Sequence, residues 1–138
     1  MPTPFAGGCS CGAIRYECTA EPLFSLNCHC RDCQRETGSA FAPILGVPKA
    51  AFTVTRGNPQ YFALTADSGY PTTRAFCAAC GSPLFGLPGS APDLVTIRVG
   101  SLQDPSEFRP GQDIYTASAQ PWDYMNPALP KVPKLPGK

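Results

Sequence analysis

The chain has 138 residues, of which 43% are hydrophobic and 15% charged, so it fits one globular domain and not a disordered segment. Its 17 prolines and 13 glycines favour short strands and turns over long helices. The formal charge is only +1 and Lys131, Lys134 and Lys138 crowd the C-terminus, so a nucleic-acid partner is not expected. No apolar run approaches about 18 residues and residues 1–4 lack a signal-peptide pattern, so we expect a cytoplasmic protein without membrane contact.

The predicted elements are mostly short strands that are separated by Gly, Pro and Asn signals. In the first of them Ile14, Tyr16 and Cys18 share one face, as in a half-buried strand. One or two helical turns are predicted at residues 32–37 and end at Gly38. This pattern predicts a mainly β fold of antiparallel sheets, with strands at residues 13–18, 24–26, 41–47, 52–55, 61–64, 72–76, 84–86 and 94–99.

Eight cysteines are the outlier in this composition, and seven of them fall into tight local clusters. In an extended segment residues i and i+2 point to the same side, so a Cys-x-Cys pair can reach one metal ion. Two such pairs occur, and the pair in residues 77–80 has the spacing of a zinc knuckle, with Gly81 free to adopt a positive φ. A reducing compartment disfavours disulfides, so the clusters are read as thiolate ligands. They are formed by Cys9, Cys11, Cys28, Cys30, Cys33, Cys77 and Cys80.

Seven ligands divide naturally into a group of four and a group of three. Four cysteines complete a zinc tetrahedron, which makes a structural site, whereas three leave one position for water or substrate. The six residues 28–33 hold three cysteines and form the candidate open site. The two distant pairs would then close the structural site, although spacing alone also allows Cys30 and Cys33 to join Cys77 and Cys80.

Other candidate residues have a plainer interpretation. We expect Cys18 to be a small buried apolar residue and His29, which alternates with two cysteines, to be packed or solvent-facing and not a ligand. Arg15 and Arg98 are expected to face solvent from their strands. Prolines recur every three residues from Pro127 onward, which is typical of an extended polyproline II segment, so residues 127–138 are expected to form a Pro/Lys-rich C-terminal tail.

Three segments resemble the glutathione-dependent formaldehyde-activating enzyme family, which also includes centromere protein V. They are residues 7–17, residues 28–39 and residues 76–82, and looser similarity extends the match over roughly residues 5–122. Many relatives carry His where this chain has Asp113. Three cysteine clusters in the same order and surroundings make the resemblance specific.

The resemblance implies a β-tent, in which antiparallel sheets are pinned by structural zinc, over residues 1–126. It implies two Zn²⁺ ions per chain, one structural and one catalytic. The implied activity is that of a carbon–sulfur lyase, which adds a thiol such as glutathione to a small aldehyde such as formaldehyde; a zinc-pinned binding module or thiol carrier without turnover is the alternative. The implied ligands are Cys9, Cys11, Cys77 and Cys80 for the structural ion and Cys28, Cys30 and Cys33 for the catalytic ion.

Glutathione carries two carboxylates, and arginine guanidinium groups are their usual bidentate partners. Arg31 and Arg35 adjoin the triple-cysteine segment and are the candidate substrate-binding residues. Either could instead pair with Asp32 or Glu36.

Overall fold

A computed structural model describes residues 1–136. These residues form ten strands, one α-helix, Arg31–Thr37 (α1), and three single 3₁₀ turns at Lys49–Ala51, Val99–Ser101 and Thr116–Ser118. The strands are β1 Phe5–Gly8, β2 Arg15–Cys18, β3 Phe24–Cys28, β4 Ala42–Pro48, β5 Phe52–Arg56, β6 Gln60–Thr65, β7 Pro71–Phe76, β8 Pro83–Pro88, β9 Leu94–Arg98 and β10 Asp113–Ile114. No helix among residues 1–136 is both long and apolar enough to cross a membrane.

The prediction of a mainly β fold is confirmed, and each predicted strand has a counterpart. The helix also ends as predicted, because Gly38 adopts the left-handed conformation with φ of 65° and donates its N–H to the Gln34 carbonyl. Two strands were not predicted. β1 contains a Gly-Gly pair that disfavours a strand, and β10 has only two residues.

The strands form two sheets. A three-stranded antiparallel sheet has the order β1-β2-β5, and a seven-stranded sheet has the order β10-β3-β4-β9-β8-β7-β6. All pairs in the larger sheet are antiparallel except β10, which runs parallel to β3.

The main core lies between the two sheets. The ring centroids of Tyr16 and Phe52, both in the smaller sheet, are 5.1 Å apart, and Phe52 meets Phe85 of the larger sheet at 4.7 Å. Cys18 is fully buried in this core, as expected of a small apolar residue. The aromatic contacts thus fix how the two sheets face each other, and so how the loops at their ends meet.

The C-terminal segment packs on the domain through backbone hydrogen bonds. The N–H of Tyr115 donates to the Lys134 carbonyl at 3.1 Å, and the N–H of Val132 donates to the Asp113 carbonyl at 3.0 Å. Val132 and Leu135 also pack against a second, smaller apolar cluster, which includes Leu26, Ile44 and Ile114. The segment predicted as a tail therefore lies along β10 as far as residue 136, and its last two residues, 137–138, lie outside the described residues.

Candidate metal centres

Four of the predicted ligands meet where the two sheets come together. Cys9 and Cys11 lie in the loop after β1 of the smaller sheet, and Cys77 and Cys80 lie in the turn between β7 and β8 of the larger one. Their sulfur atoms all lie within 4.8 Å of one another. Cys11 Sγ is 3.6 Å from Cys9 Sγ and 3.7 Å from Cys77 Sγ. We call this group the four-cysteine cluster.

Polar groups around the four-cysteine cluster point at its sulfur atoms. The backbone N–H of Ile14 donates to Cys9 Sγ at 3.2 Å, and the Ser82 hydroxyl lies 3.2 Å from Cys80 Sγ. Hydrogen bonds from the Ser82 side chain and backbone lower the pKa of Cys80 to about 5. Gly81 has the positive φ, 78°, that the knuckle predicted. Such outer hydrogen bonds are typical of cysteine sulfurs that bind metal as thiolates.

The other three predicted ligands meet at the junction of β3 and α1. Cys28 ends β3, Cys30 is the N-cap of the helix, and Cys33 lies in its first turn. The backbone N–H of Cys33 donates to Cys30 Sγ at 3.3 Å, and the three sulfur atoms lie within 4.8 Å of one another. We call this group the three-cysteine cluster. The cap thus both starts the helix and gathers the sulfur atoms.

The thiols of the three-cysteine cluster differ in exposure and acidity. Cys28 and Cys33 are buried, whereas Cys30 is only partly so. Hydrogen bonds from the thiols of Cys28 and then Cys33 hold the pKa of Cys30 well below its usual range. The same contacts with Cys30 and Cys33, together with burial, raise the pKa of Cys28. Cys30 is thus the member of the cluster whose pKa is lowered, and it is also the one most open to solvent.

Both clusters have the donor set of a metal site. Tetrahedral zinc with bonds of about 2.3 Å places its sulfurs roughly 3.8 Å apart, close to the separations in the four-cysteine cluster. Three thiolates leave the fourth position of a tetrahedral ion without a protein ligand. The alternative grouping of Cys30 and Cys33 with Cys77 and Cys80 is not found within residues 1–136. The two clusters could therefore each bind a metal ion.

A buried network of charged side chains lies beside the three-cysteine cluster. Glu36 Oε1, on α1, accepts from Arg98 Nε at 2.7 Å and from Arg74 Nη1 at 3.4 Å. Arg74 Nη2 also donates to Cys33 Sγ at 3.5 Å. The expectation that Arg98 faces solvent is wrong: the residue is only 5% exposed, and its guanidinium pairs with Glu36 of α1.

His29 was expected to be packed or solvent-facing, and the structure shows it packed, with only 1% of the residue exposed. Its Nε2 lies 2.9 Å from Asp113 Oδ1, and its Nδ1 lies 3.2 Å from Asp123 Oδ2. Asp113 also accepts from Lys131 Nζ at 3.0 Å. Burial raises the pKa of Asp113, but the hydrogen bonds from His29 and Lys131 lower it by more than burial raises it, so the net shift is downward. Nothing in the sequence pattern indicated these partners for His29.

Two cavities flank α1. Arg31 and Arg35 are exposed and line a cleft of about 530 Å³ together with Gln120 and Trp122. Arg31 donates to Gln34 Oε1, and Glu36 pairs with other arginines, so neither candidate arginine is paired with Asp32 or Glu36 in the described part of the chain. The second cavity, of about 810 Å³, runs from the four-cysteine cluster to the end of α1. The cleft and the cavity share Ser39.

The chain is similar to proteins of one family. The model of the glutathione-dependent formaldehyde-activating enzyme family matches residues 4–118. A curated protein of Emericella nidulans named "Putative glutathione-dependent formaldehyde-activating enzyme" is 33% identical over 87 residues, which are 59% of this chain. The aligned part spans only 43% of that relative's length.

A solved structure supports the fold. The crystal structure of a Rhodobacter sphaeroides protein superposes with a TM-score of 0.58 and covers 76% of this chain and 91% of its own. The two sequences are 23% identical, so this likeness concerns the fold alone.

Proposed function

Because the chain belongs to the glutathione-dependent formaldehyde-activating enzyme family, we propose that it adds a thiol such as glutathione to a small aldehyde such as formaldehyde. In the reverse direction this is a carbon–sulfur lyase reaction. The observation that carries the proposal is the three-cysteine cluster, whose three sulfur atoms lie within 4.8 Å of one another at the start of a helix. With three protein ligands, a metal site there keeps one position for a substrate.

We assign a structural zinc ion to the four-cysteine cluster and a catalytic zinc ion to the three-cysteine cluster. The first assignment is supported by four sulfur ligands contributed by both sheets, which leave no position for substrate. The second is supported by the partial exposure of Cys30, through which a substrate can approach. When bound there, zinc would lower the pKa of the substrate thiol so that it reacts as a thiolate.

The reaction needs no oxidant or reductant. The substrate thiol gives up its proton, its sulfur forms a bond to the aldehyde carbon, and the carbon–oxygen double bond becomes a single bond. The oxygen then takes up one proton, so the product is a hydroxymethyl thioether of the same overall composition as the two substrates. The role of the protein is to bring thiolate and aldehyde together, which makes the reaction effectively intramolecular.

The cleft beside α1 is our candidate binding site for the rest of the thiol substrate. Arg31 and Arg35 place two guanidinium groups on one wall, and Trp122, which is 70% exposed, forms another part of it. A peptide thiol with two carboxylates matches two exposed arginines in charge. We therefore propose Arg31 and Arg35 as substrate-binding residues that act mainly on KM.

A zinc-pinned binding module or thiol carrier without turnover is the second candidate. It is favoured by the burial of Cys28 and Cys33, which are only 5% and 2% exposed. A site that only binds a thiol needs no additional access for an aldehyde. The two functions differ in turnover, and a binding module needs only the structural ion.

The test measures metal content and formaldehyde consumption with glutathione on the purified protein. We expect two zinc ions per chain and a rate above that of the uncatalysed addition. Cys30→Ser should lose one ion and the activity, whereas Cys18→Ser, which alters a cysteine outside both clusters, should keep both. Two ions together with an uncatalysed rate would favour a thiol carrier, whereas one tightly held ion, with none in the three-cysteine cluster, would favour the binding module and refute the enzyme.

Substrate binding is tested by replacing the two arginines of the cleft. Arg31→Gln with Arg35→Gln should raise KM for glutathione and leave kcat nearly unchanged. The matched control is Arg56→Gln, an exposed arginine on β5 in the other sheet. An unchanged KM would remove the cleft from the substrate site.

A further inference from the structure

The charged network beside the three-cysteine cluster has a net positive charge. Arg74 and Arg98 carry two positive charges and Glu36 carries one negative charge, so one positive charge is left over. All three side chains are only 6–7% exposed. An uncompensated buried charge is strongly destabilising, so the leftover charge needs a negative group nearby.

The nearest such group is the sulfur of Cys33. Arg74 Nη2 donates to it at 3.5 Å, and the Nε of the same guanidinium is buried with no partner among residues 1–136. Arg98, by contrast, directs its remaining hydrogen bonds to the carbonyl and hydroxyl of Thr96. Arg74 is therefore the arginine whose charge is directed at the cysteines.

The size of the negative charge depends on what the cluster binds. Three thiolates and one divalent ion carry a net charge of −1, and the guanidinium of Arg74 lies against one of these sulfurs. A neutral donor in the fourth position leaves this charge unchanged, whereas an anionic donor makes it −2. A second negative charge in a buried site is costly unless a cation lies close by. The attraction between the Arg74 guanidinium and the cluster grows with the cluster's negative charge, so Arg74 stabilises the −2 state more than the −1 state.

We propose that Arg74 is a positioning residue that makes the metal-loaded three-cysteine cluster select an anionic thiolate over a neutral nitrogen donor. This inference rests on the proposed function, because it assumes a metal ion in that cluster. It goes further in naming the charge of the fourth ligand as the selected property and Arg74 as the residue that selects it.

The test uses the intact protein loaded with cobalt(II), whose absorption spectrum reports each change of ligand. Glutathione and imidazole are titrated separately into the wild type, Arg74→Met, Arg74→Lys and the control Arg56→Met. We expect Arg74→Met to weaken glutathione binding about 10- to 100-fold, the size of one lost charge-assisted hydrogen bond, and to leave imidazole binding within about threefold. Arg74→Lys keeps the charge and should recover most of the loss.

Three outcomes would overturn the proposal. They are equal weakening for both probes in Arg74→Met, no weakening for either, and a loss in Arg74→Lys as large as in Arg74→Met. If Arg74→Met does not fold, Arg74→Lys with the two probes still decides, since selectivity for glutathione must then persist. Failure of the proposed function is distinct: the wild type itself would bind no metal in the three-cysteine cluster.

Discussion

Replacing Glu36 with Gln should lower the stability of the protein sharply while keeping its side-chain volume. Glu36 Oε1 is the shared acceptor for Arg98 Nε at 2.7 Å and Arg74 Nη1 at 3.4 Å, in a site where all three side chains are buried. Breaking a buried ion pair from one side costs about 3–5 kcal/mol because the remaining charge is left uncompensated. We expect about 3 kcal/mol, the lower end, since the amide oxygen of Gln can still accept from Arg98.

The assay is urea and thermal unfolding of the metal-loaded protein. For a domain of this size about 3 kcal/mol corresponds to a fall in Tm of roughly 10 °C. Glu17→Gln removes an exposed carboxylate from β2 and should change the free energy of unfolding by no more than about 0.5 kcal/mol. A Glu36→Gln variant as stable as the Glu17→Gln control would show that the network is not ionised as described.

Three further predictions concern other parts of the molecule. Cys77→Ser should leave the domain largely unfolded, because a structural zinc site contributes on the order of 10 kcal/mol, whereas Cys30→Ser should keep a cooperative thermal transition. Tyr16→Phe loses the 2.6 Å contact with Ser101 Oγ and about 1 kcal/mol at pH 7. Burial raises the pKa of Tyr16 in the folded state, so its stabilising contribution is present below the unfolded pKa of about 10 and is lost above it; the variant should show a smaller alkaline loss in unfolding titrations. Deleting residues 127–138 should lower the urea midpoint, because the backbone partners of β10 and the partly buried side chains of Val132 and Leu135 are removed.

Strands with a clear alternation of apolar and polar residues could be predicted from the sequence, because one of their faces packs in the core. β1 could not be predicted, because Gly7 is needed there for the close approach of Tyr16 and Ser101, a contact that local propensity does not encode. A Cβ on Gly7 would lie 2.3 Å from the Tyr16 hydroxyl and 2.5 Å from the Ser101 carbonyl. β10 depends on a parallel partner, β3, that is more than eighty residues away in the sequence.

The two cysteine clusters were accessible to sequence reasoning because the spacing of their cysteines is itself the signal. The buried charges were not. Arg98 occupies a strand position that alternation assigns to solvent, but its side chain is buried and pairs with Glu36 of α1. Its partner Glu36 lies 62 residues away, so no local pattern connects the two.

The two cysteine clusters differ in what they hold together. The four-cysteine cluster joins loops from both sheets, and Cys11 and Cys77 are 66 positions apart in the sequence, so losing an ion bound there would free two distant parts of the chain. The three-cysteine cluster spans only six residues at one strand–helix junction. The helix α1 is held independently by the ion pairs of its Glu36 with Arg74 on β7 and Arg98 on β9. Because that helix has its own anchor, an ion bound in the three-cysteine cluster could exchange ligands without loss of the fold. The proposed function therefore divides stability and ligand exchange between two separate ions.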